Sequence, residues 1–293
     1  MTVARESVEQ FACKGDSLLG IRHFPATLAS HFGVVVIVGG PQYRVGSHRQ
    51  FVLLARALAR GGVDVLRFDY RGMGDSAGSA RDFEHVESDL CAAIDHFYSL
   101  RPTLQGIILF GLCDAASAAL MYGHTDPRVA GLILINPWVR TEAGAAAAYV
   151  QHYYARRLLQ WQFWRKLLGG KVRLATALGD YLHKLASSRV TAGASTASIG
   201  GTFIDRMYDG ANSLRQPILL QLSGNDLTAH EFGNICQQQS RWSQWLNSPG
   251  VKLVRLPDAD HTFSSRAALT QSNAAILEWL IQLYGVVAAG EAR

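Results

Sequence analysis

The sequence predicts an α/β fold with a mostly parallel, doubly wound sheet, and its apolar runs supply most of that prediction. Short β-branched runs recur at 33–40, 63–70, 106–112, 129–137, 217–226 and 251–260. Near-continuous apolar runs are typical of parallel strands that are covered on both faces. Helical patterns separate most of these runs, at 48–62, 85–101, 114–125 and 266–285. Regular alternation of strand and helix indicates an open sheet with helices on both sides.

The N-terminal region predicts an antiparallel start to this sheet. The segments VEQFACKG and LLGIRHFP flank a turn that we expect at Gly15-Asp16. Glycine in a short connection between two alternating runs favours a β-hairpin. The first helical pattern then stops at Gly61-Gly62, as expected for a helix that ends on glycine.

The interval 138–215 interrupts the alternation of strands and helices. It shows helical periodicity and a loose tract, TAGASTASIGG, but no convincing strand. We predict a helical cap at 138–215, inserted into a core formed by 1–137 and 216–293. The interval holds 11 of the 28 Lys and Arg residues and only 4 of the 23 Asp and Glu residues. The basic excess of the chain therefore lies in the predicted cap, which concerns partners more than fold.

Composition restricts the class of protein. At 293 residues with 48% hydrophobic content, the chain is long and apolar enough for one large domain with a substantial core. The apolar runs are shorter than the ~20 residues of a membrane-spanning helix. The opening has no apolar signal region, so we expect a cytoplasmic protein. The cysteines at 13, 91, 113 and 236 have no metal-ligand spacing, and we expect no metal, no cofactor and no nucleic-acid partner.

The sharpest chemical signal is Gly111-Leu112-Cys113-Asp114-Ala115, which lies between a predicted strand and a predicted helix. A nucleophile elbow requires a very tight turn at this place, with small residues two positions before and after the nucleophile. Gly111 and Ala115 meet that requirement. Cys113 would then project at the top of the sheet beside a helix N-terminus, which favours a thiolate. The alternative is a core cysteine at a strand end.

Two more strand ends carry reactive residues, Asp226 in SGNDLTA and His261 in DADHTF. The chain order of nucleophile, acid and histidine is that of enzymes with this elbow. We therefore predict that His261 takes the proton of Cys113 and that Asp226 orients the imidazole. The oxyanion would bind the backbone N–H of Asp114 and that of Gln42 in the loop after the first parallel strand, because Pro41 has no N–H.

Together these motifs resemble the α/β-hydrolase superfamily over essentially the whole chain. DYRGMGDSAG at 69–78 is similar to a loop of many members, and FACKGDSLLGIRHFP is similar to their N-terminal hairpin. GGPQYRVGSHRQF at 39–51 and GLCDAASAAL at 111–120 more narrowly resemble the exosortase A system-associated hydrolase 1 family. That resemblance implies an acyl-directed hydrolase encoded beside exopolysaccharide genes. The cysteine is also similar to that of dienelactone hydrolases and polyhydroxyalkanoate synthases, one group hydrolytic and the other acyl-transferring.

Several functional alternatives stay open at this point. Acyl transfer uses the same residues as hydrolysis, a non-catalytic binding module would make no use of them, and the GxGxxA pattern at 72–77 allows a dinucleotide site. Aromatic residues of the cap favour an acyl pocket, and its basic residues favour coenzyme A, an acyl carrier or an anionic lipid surface, although a solvated basic face is an equal reading. The candidates for substrate contact are Tyr43, Arg44, Tyr153, Trp161 and Trp164.

Overall fold

A single eight-stranded sheet forms the centre of the computed structural model, in which residues 4–26, 30–40, 42–139 and 202–285 are described. The strands are β1 (Arg5–Cys13), β2 (Asp16–Phe24), β3 (Phe32–Ile37), β4 (Asp64–Asp69), β5 (Gly106–Leu112), β6 (Val129–Ile135), β7 (Ile218–Asn225) and β8 (Val251–Asp260). Their order across the sheet is β1-β2-β4-β3-β5-β6-β7-β8. Strands β3 to β8 are parallel, and only the pairs β1–β2 and β2–β4 are antiparallel. The predicted fold class is confirmed.

The N-terminal hairpin turns one residue earlier than the sequence predicts. Lys14 and Gly15 occupy the turn with φ of 53° and 91°, whereas Asp16 already pairs with Cys13 as the first residue of β2. Positive φ at both central residues matches the right-handed twist of the flanking strands. The prediction of Gly15-Asp16 was wrong because the glycine takes the second place in this turn and not the first.

Seven helices accompany the described part of the sheet: α1 (Gln50–Arg60), α2 (Glu87–Leu100), α3 (Asp114–Gly123), α4 (Phe203–Ser213), α5 (Leu227–Gln238), α6 (Ser240–Leu246) and α7 (Arg266–Tyr284). The four predicted helical patterns correspond to α1, α2, α3 and α7. Helices α5 and α6 are absent from the prediction. The buried side of α5 includes Glu231 beside the small Ala229, which weakens its periodicity. None of the described helices is long and apolar enough to cross a membrane.

Alternate strand residues divide the core into two layers, one on each face of the sheet. In β3, Val35 and Ile37 pack into the layer that α2 to α6 complete, whereas Val34 and Val36 face the layer of α1 and α7. All four side chains are at most 1% exposed. Burial on both faces explains the continuous apolar runs in the sequence, since neither face is left for polar residues.

Helix α4 belongs to the core of the protein. The larger compact unit comprises 1–139 and 203–293. Gly210 of α4 lies so close to α3 that an added Cβ would be 2.0 Å from the Leu120 carbonyl oxygen. The sequence places α4 in the cap at 138–215, and the structure places it on α3. Of the predicted cap, only 138–139 and 202–215 are among the described residues, and 140–201 lie outside them.

A buried histidine and arginine connect β2 to β4. His23 is fully buried, and its Nε2 accepts a hydrogen bond from Arg67 Nε at 2.9 Å. Because guanidinium groups only donate, Nε2 carries no proton and Nδ1 carries it instead, 3.4 Å from Glu6 Oε1. Burial, followed by the charge of Arg67, lowers the pKa of His23 to about 4. Protonation of this ring would thus place two positive charges in the core.

We expect the free energy of unfolding to fall as the pH drops from about 6.5 to 4, because unfolded His23 binds a proton in this window and folded His23 does not. One pKa unit corresponds to about 1.4 kcal/mol, so the loss from this group approaches about 3 kcal/mol. Urea denaturation across this pH range would measure it. A His23→Gln variant keeps an acceptor for Arg67 and serves as control, and its stability gap to the wild type should narrow with falling pH. A constant gap would contradict the prediction.

Candidate active site

The turn between β5 and α3 presents Cys113 in a conformation that few residues adopt. Strand β5 ends at Leu112, α3 begins at Asp114, and Cys113 between them has φ 63° and ψ −125°. A positive φ is unusual for a residue with a side chain and is often found at functional sites. The N–H of Cys113 donates to the carbonyl oxygen of Ile135 at 2.9 Å, which ties the turn to the end of β6. The thiol-bearing residue is only partly buried.

Close backbone packing explains the small residues on either side of Cys113. A Cβ at Gly111 would lie 2.4 Å from the backbone carbonyl carbon of Ala115, a distance that no side chain tolerates. Ala115 itself is 1% exposed. The elbow predicted from this sequence is therefore present, and the absence of a side chain at position 111 is the condition for it.

Asp226 and His261 come from the ends of the neighbouring strands β7 and β8. The buried Asp226 carboxylate caps α5 by accepting from the N–H of Thr228 at 3.1 Å and of Ala229 at 3.3 Å. Its Oδ2 lies 2.8 Å from Nδ1 of His261. These contacts fix the carboxylate independently of the imidazole, so the ring is oriented by a group that does not move with it.

The Cys113 side chain is close enough to His261 to influence the charge of its imidazole. The pKa of His261 is raised to about 10, first by the hydrogen bond to Asp226 and then by Cys113. Asp260 accepts from the N–H of Thr262 at 3.1 Å and of Ser264 at 3.0 Å. It therefore shapes the turn that presents His261, while Asp226 contacts the ring.

The loop after β3 approaches the elbow through Gly40. The N–H of Gly40 donates to Oδ2 of Asp114 at 2.8 Å, and Oδ1 of Asp114 accepts from the N–H of Ala115 at 2.9 Å. A Cβ at Gly39 would lie 2.0 Å from Oδ1 of Asp114. Sequence reasoning missed Gly40, although the pair Gly39-Gly40 directly after a strand signals a close approach of two backbones. Of Gln42, the structure shows a buried side-chain oxygen that has no partner among the described residues.

Arg44 braces this loop and Tyr43 is open to solvent. The backbone N–H of Arg44 donates to Oδ1 of Asp69 at 2.6 Å, and its guanidinium pairs with Asp69 and, at 2.7 Å, with Asp75. Tyr43 is 48% exposed. Asp69, which sequence reasoning did not single out, thus holds two loops at once. The other substrate candidates, Tyr153, Trp161 and Trp164, lie outside the described residues.

The glycine pattern at 72–77 folds around Asp69. A Cβ at Gly74 would lie 2.2 Å from Oδ2 of Asp69, and Ser76 Oγ donates to the Asp69 carbonyl oxygen. Helix α2 begins only at Glu87. A dinucleotide fingerprint requires a helix that starts directly on the glycines, so the geometry of this loop is that of a brace.

Three aromatic rings cluster around Trp138, in the segment that follows β6. The ring of Trp138 stacks on Phe203 with centroids 5.2 Å apart, and Phe83 meets both rings edge-on at 5.4 and 5.5 Å. The N–H of Trp138 donates to the carbonyl oxygen of Cys113 at 3.2 Å. The backbone of Trp138 therefore ties this cluster to the turn that carries Cys113.

The described residues contain no metal cluster at the site and a cavity away from it. No group of three or more His, Cys, Asp or Glu side chains in the described ranges is arranged to hold a metal ion. A cavity of about 330 Å³ is lined by Arg215, Gln216 and Trp245 near the starts of β7 and β8. Ligands of open α/β sheets bind at the carboxyl ends of the strands, so this cavity lies at the opposite end of the sheet from Cys113.

Comparison with known proteins identifies the family of the chain. Residues 29–262 match the family described as serine aminopeptidase, S33. No curated protein sequence matches the chain significantly. The matched range includes the elbow, Asp226 and His261. The description names a serine, whereas the elbow of this chain carries Cys113.

Solved structures share the fold over nearly the full length. An esterase of Pyrococcus furiosus superposes with a TM-score of 0.64 at 16% identity, covering 96% of this chain and 92% of that chain. Est1E of Butyrivibrio proteoclasticus, solved with bound ferulic acid, gives 0.61 at 14% identity and covers 94% and 98%. An esterase domain of a Rhodothermus marinus protein gives 0.58 at 18% identity and covers 95% and 99%. At these identities the likeness establishes the α/β-hydrolase fold.

We expect Gly111→Ala to destabilise the protein by about 2 kcal/mol or more, because the new methyl group would force the elbow apart. Gly233→Ala in α5 is the matched control, since a Cβ there meets nothing within 4 Å. It should be neutral or stabilise by up to about 1 kcal/mol through helix propensity. Thermal and urea unfolding of both variants test this. Equal effects of the two substitutions would contradict the steric argument.

The raised pKa of His261 gives a second prediction. Asp226→Asn should lower the pKa of His261 from about 10 by removing the first of its two stabilising contacts, and Cys113→Ala should lower it through the second. NMR titration of the imidazole carbons, assigned with a His261→Gln variant, measures the pKa in each protein. A pKa that does not change in either variant would show that these contacts do not hold the proton on the ring.

Proposed function

The chain belongs to the serine aminopeptidase S33 family of hydrolases, and we propose that it is a cysteine-nucleophile acyl hydrolase that cleaves carboxylic esters or thioesters. The observation that carries the proposal is the arrangement of Cys113 at a positive-φ elbow, close enough to His261 to raise the pKa of an imidazole whose Nδ1 is 2.8 Å from Asp226. A thiol on this turn would give a thioester intermediate where a serine would give an ester.

In the first step, the Cys113 thiolate attacks the acyl carbon. The imidazolium of His261, which its high pKa keeps protonated at neutral pH, stabilises the thiolate and then gives its proton to the departing alkoxide or thiolate. The carbon–oxygen or carbon–sulfur bond to the leaving group breaks as the Cys113 thioester forms. Asp226 keeps the ring charged and directed at the sulfur.

In the second step, the imidazole, now neutral, takes a proton from water. The resulting hydroxide attacks the thioester, the acid product leaves, and the sulfur departs as a thiolate that again faces the imidazolium. Both tetrahedral intermediates carry an oxyanion. We propose the N–H of Asp114 as one donor and a loop N–H, that of Gln42 or of Gly40, as the other. Gly40 has the support of direct proximity to the elbow residue Asp114, at 2.8 Å.

The aromatic cluster of Phe83, Trp138 and Phe203 supports an apolar or aromatic acyl group. The backbone N–H of Trp138 connects this cluster to the carbonyl oxygen of Cys113. The ferulic acid bound by Est1E is an acid of that kind, and we propose an aryl or alkyl acyl chain for this protein. The basic residues of the interval 138–215 support an anionic leaving group, and from them we propose coenzyme A or an acyl carrier. Tyr153, Trp161 and Trp164 stay sequence-based candidates for contact with the acyl group.

Acyl transfer is the second candidate, and the thiol itself favours it. A thioester intermediate is reactive toward alcohols and amines as well as toward water, so exclusion of water would convert the same residues to a transferase. The resemblance to exosortase A system-associated hydrolase 1 supports an exopolysaccharide-related acceptor and a cytoplasmic setting for either reaction.

We expect the wild-type protein to gain the mass of one acyl group after brief exposure to activated aryl and alkyl esters or acyl-coenzyme A thioesters of graded length. The adduct should be absent from Cys113→Ala and should persist in Cys91→Ala, which removes a partly buried thiol outside the site. Intact-protein mass spectrometry measures the adduct, and the best donor identifies the acyl class.

The decay of the adduct separates the two candidates. Loss of the acyl group from the protein in water alone supports hydrolysis. Its loss only after addition of alcohols or amines supports acyl transfer. If no donor labels the wild type and none is turned over, the acyl chemistry of Cys113 is wrong and a binding role takes its place.

A further inference from the structure

The elbow turn requires no carboxylate at position 114, yet Asp114 has one there. Asp114 directly follows the nucleophile, and its Oδ2 accepts from Gly40, a residue 74 positions earlier in the chain, at 2.8 Å. Its Oδ1 accepts from the N–H of Ala115 at 2.9 Å. Gly39 lies flush against the same carboxylate, leaving no room for a Cβ. The carboxylate is thus enclosed between the elbow and the loop after β3.

One of the backbone groups that bind this carboxylate, the N–H of Gly40 in the loop after β3, is of the kind that acyl chemistry needs. An oxyanion hole in this fold uses the N–H of the residue after the nucleophile and an N–H of the loop after the first parallel strand. Here the N–H groups of Gly40 and Ala115 donate to the Asp114 carboxylate at 2.8 and 2.9 Å. A carboxylate is an anion with two oxygens, so it satisfies these donors in the same way as a tetrahedral oxyanion would.

We propose that the Asp114 side chain is a built-in occupant of the oxyanion site, and that acylation of Cys113 requires this carboxylate to be protonated or displaced. The proposal rests on the acyl chemistry proposed for Cys113. It assigns a gating role to a side chain that the mechanism otherwise uses only for its backbone N–H. The carbonyl oxygen of an acyl donor must replace the Asp114 carboxylate as the acceptor of the Gly40 N–H. The oxyanion that forms and the carboxylate cannot both accept from this one N–H.

The surroundings of Asp114 set the pH range in which its carboxylate is protonated and stops competing for the oxyanion site. Burial is the main influence on Asp114 and raises the pKa of its carboxyl group, whereas its backbone hydrogen bonds and the charge of His261 oppose that rise. The pKa of the Tyr70 hydroxyl, directly after β4, is raised first by burial and then by the charge of Asp114. Among the described residues, His261 and Tyr70 are therefore the titratable groups that interact with the Asp114 charge.

The experiment compares two reactions of the same sulfur. Iodoacetamide alkylates a thiolate by displacement at a saturated carbon and forms no oxyanion, whereas p-nitrophenyl butyrate acylates it through one. The ratio of the acylation rate to the alkylation rate cancels changes in thiolate population and isolates the oxyanion site. Both rates are measured between pH 4.5 and 8 on wild type, Asp114→Asn and Asp114→Ala, with Glu87→Gln at the start of α2 as a matched loss of a carboxylate elsewhere.

We expect the wild-type ratio to rise as the pH falls, because a protonated carboxyl group no longer competes as an anion. Asp114→Ala should raise the ratio at pH 8 by about tenfold or more, up to the roughly 10²- to 10³-fold that one oxyanion donor contributes. Asp114→Asn keeps the shape of the side chain and should remove the pH dependence of the ratio, while Glu87→Gln should behave as wild type. Asn retains an acceptor for Gly40, so this variant serves as the test if Asp114→Ala does not fold.

Two opposite results overturn the inference. A wild-type ratio that is independent of pH and unchanged in both Asp114 variants shows that the carboxylate only fastens the loop to the elbow. A ratio that falls in both variants shows that the carboxylate assists acylation. Failure of the proposed function looks different: the sulfur is alkylated, but neither wild type nor either Asp114 variant is acylated by any donor.

Discussion

A side chain at position 111 has no room, because its Cβ would lie 2.4 Å from the backbone of Ala115. This contact lets β5 turn into α3 within one residue and holds Cys113 at a positive φ. Strand β5 is central, with β3 on one side and β6 on the other, so the turn is fixed from both neighbours. The N–H of Cys113 bonds to the end of β6, and the loop after β3 bonds to Asp114. The rest of the proposed site is arranged around this turn.

The parallel order of the sheet then determines which residues lie at the same edge of the sheet as Cys113. Because the carboxyl ends of parallel strands share one edge, residues that directly follow β7 and β8 lie on the same side as the elbow. Asp226 is held by α5 and His261 by the turn that Asp260 shapes. Each partner is thus anchored by its own backbone, and their 2.8 Å contact follows without a large ordering cost at the time of reaction. The raised pKa of His261 is a consequence of that pre-arrangement.

Buried charge fixes the loops beside the elbow. Asp69 at the end of β4 binds Arg44 in one loop and lies against Gly74 in the next, while Arg67 reaches from β4 both to His23 and to the Arg44 carbonyl oxygen. Burial lowers the pKa of Arg67 to about 10, which reflects the cost of placing it there. Arg67 is thereby held beside the loop after β3, through the Arg44 carbonyl oxygen. The charged network therefore positions the loop that the proposed oxyanion site uses.

The sequence by itself determined the strand and helix alternation, the elbow and the positions of Asp226 and His261. These rest on local patterns: apolar runs that end in a polar residue, and small residues that a tight turn demands. It misplaced the hairpin turn by one residue and assigned 203–213 to the cap, because the packing of α4 on α3 has no local signature. Only the tertiary structure decided that Gly40 meets the Asp114 carboxylate and that Asp69 joins two loops. Those contacts link segments far apart in the chain through hydrogen bonds of 2.8 and 2.6 Å between a backbone N–H and a carboxylate, which no single stretch of sequence specifies.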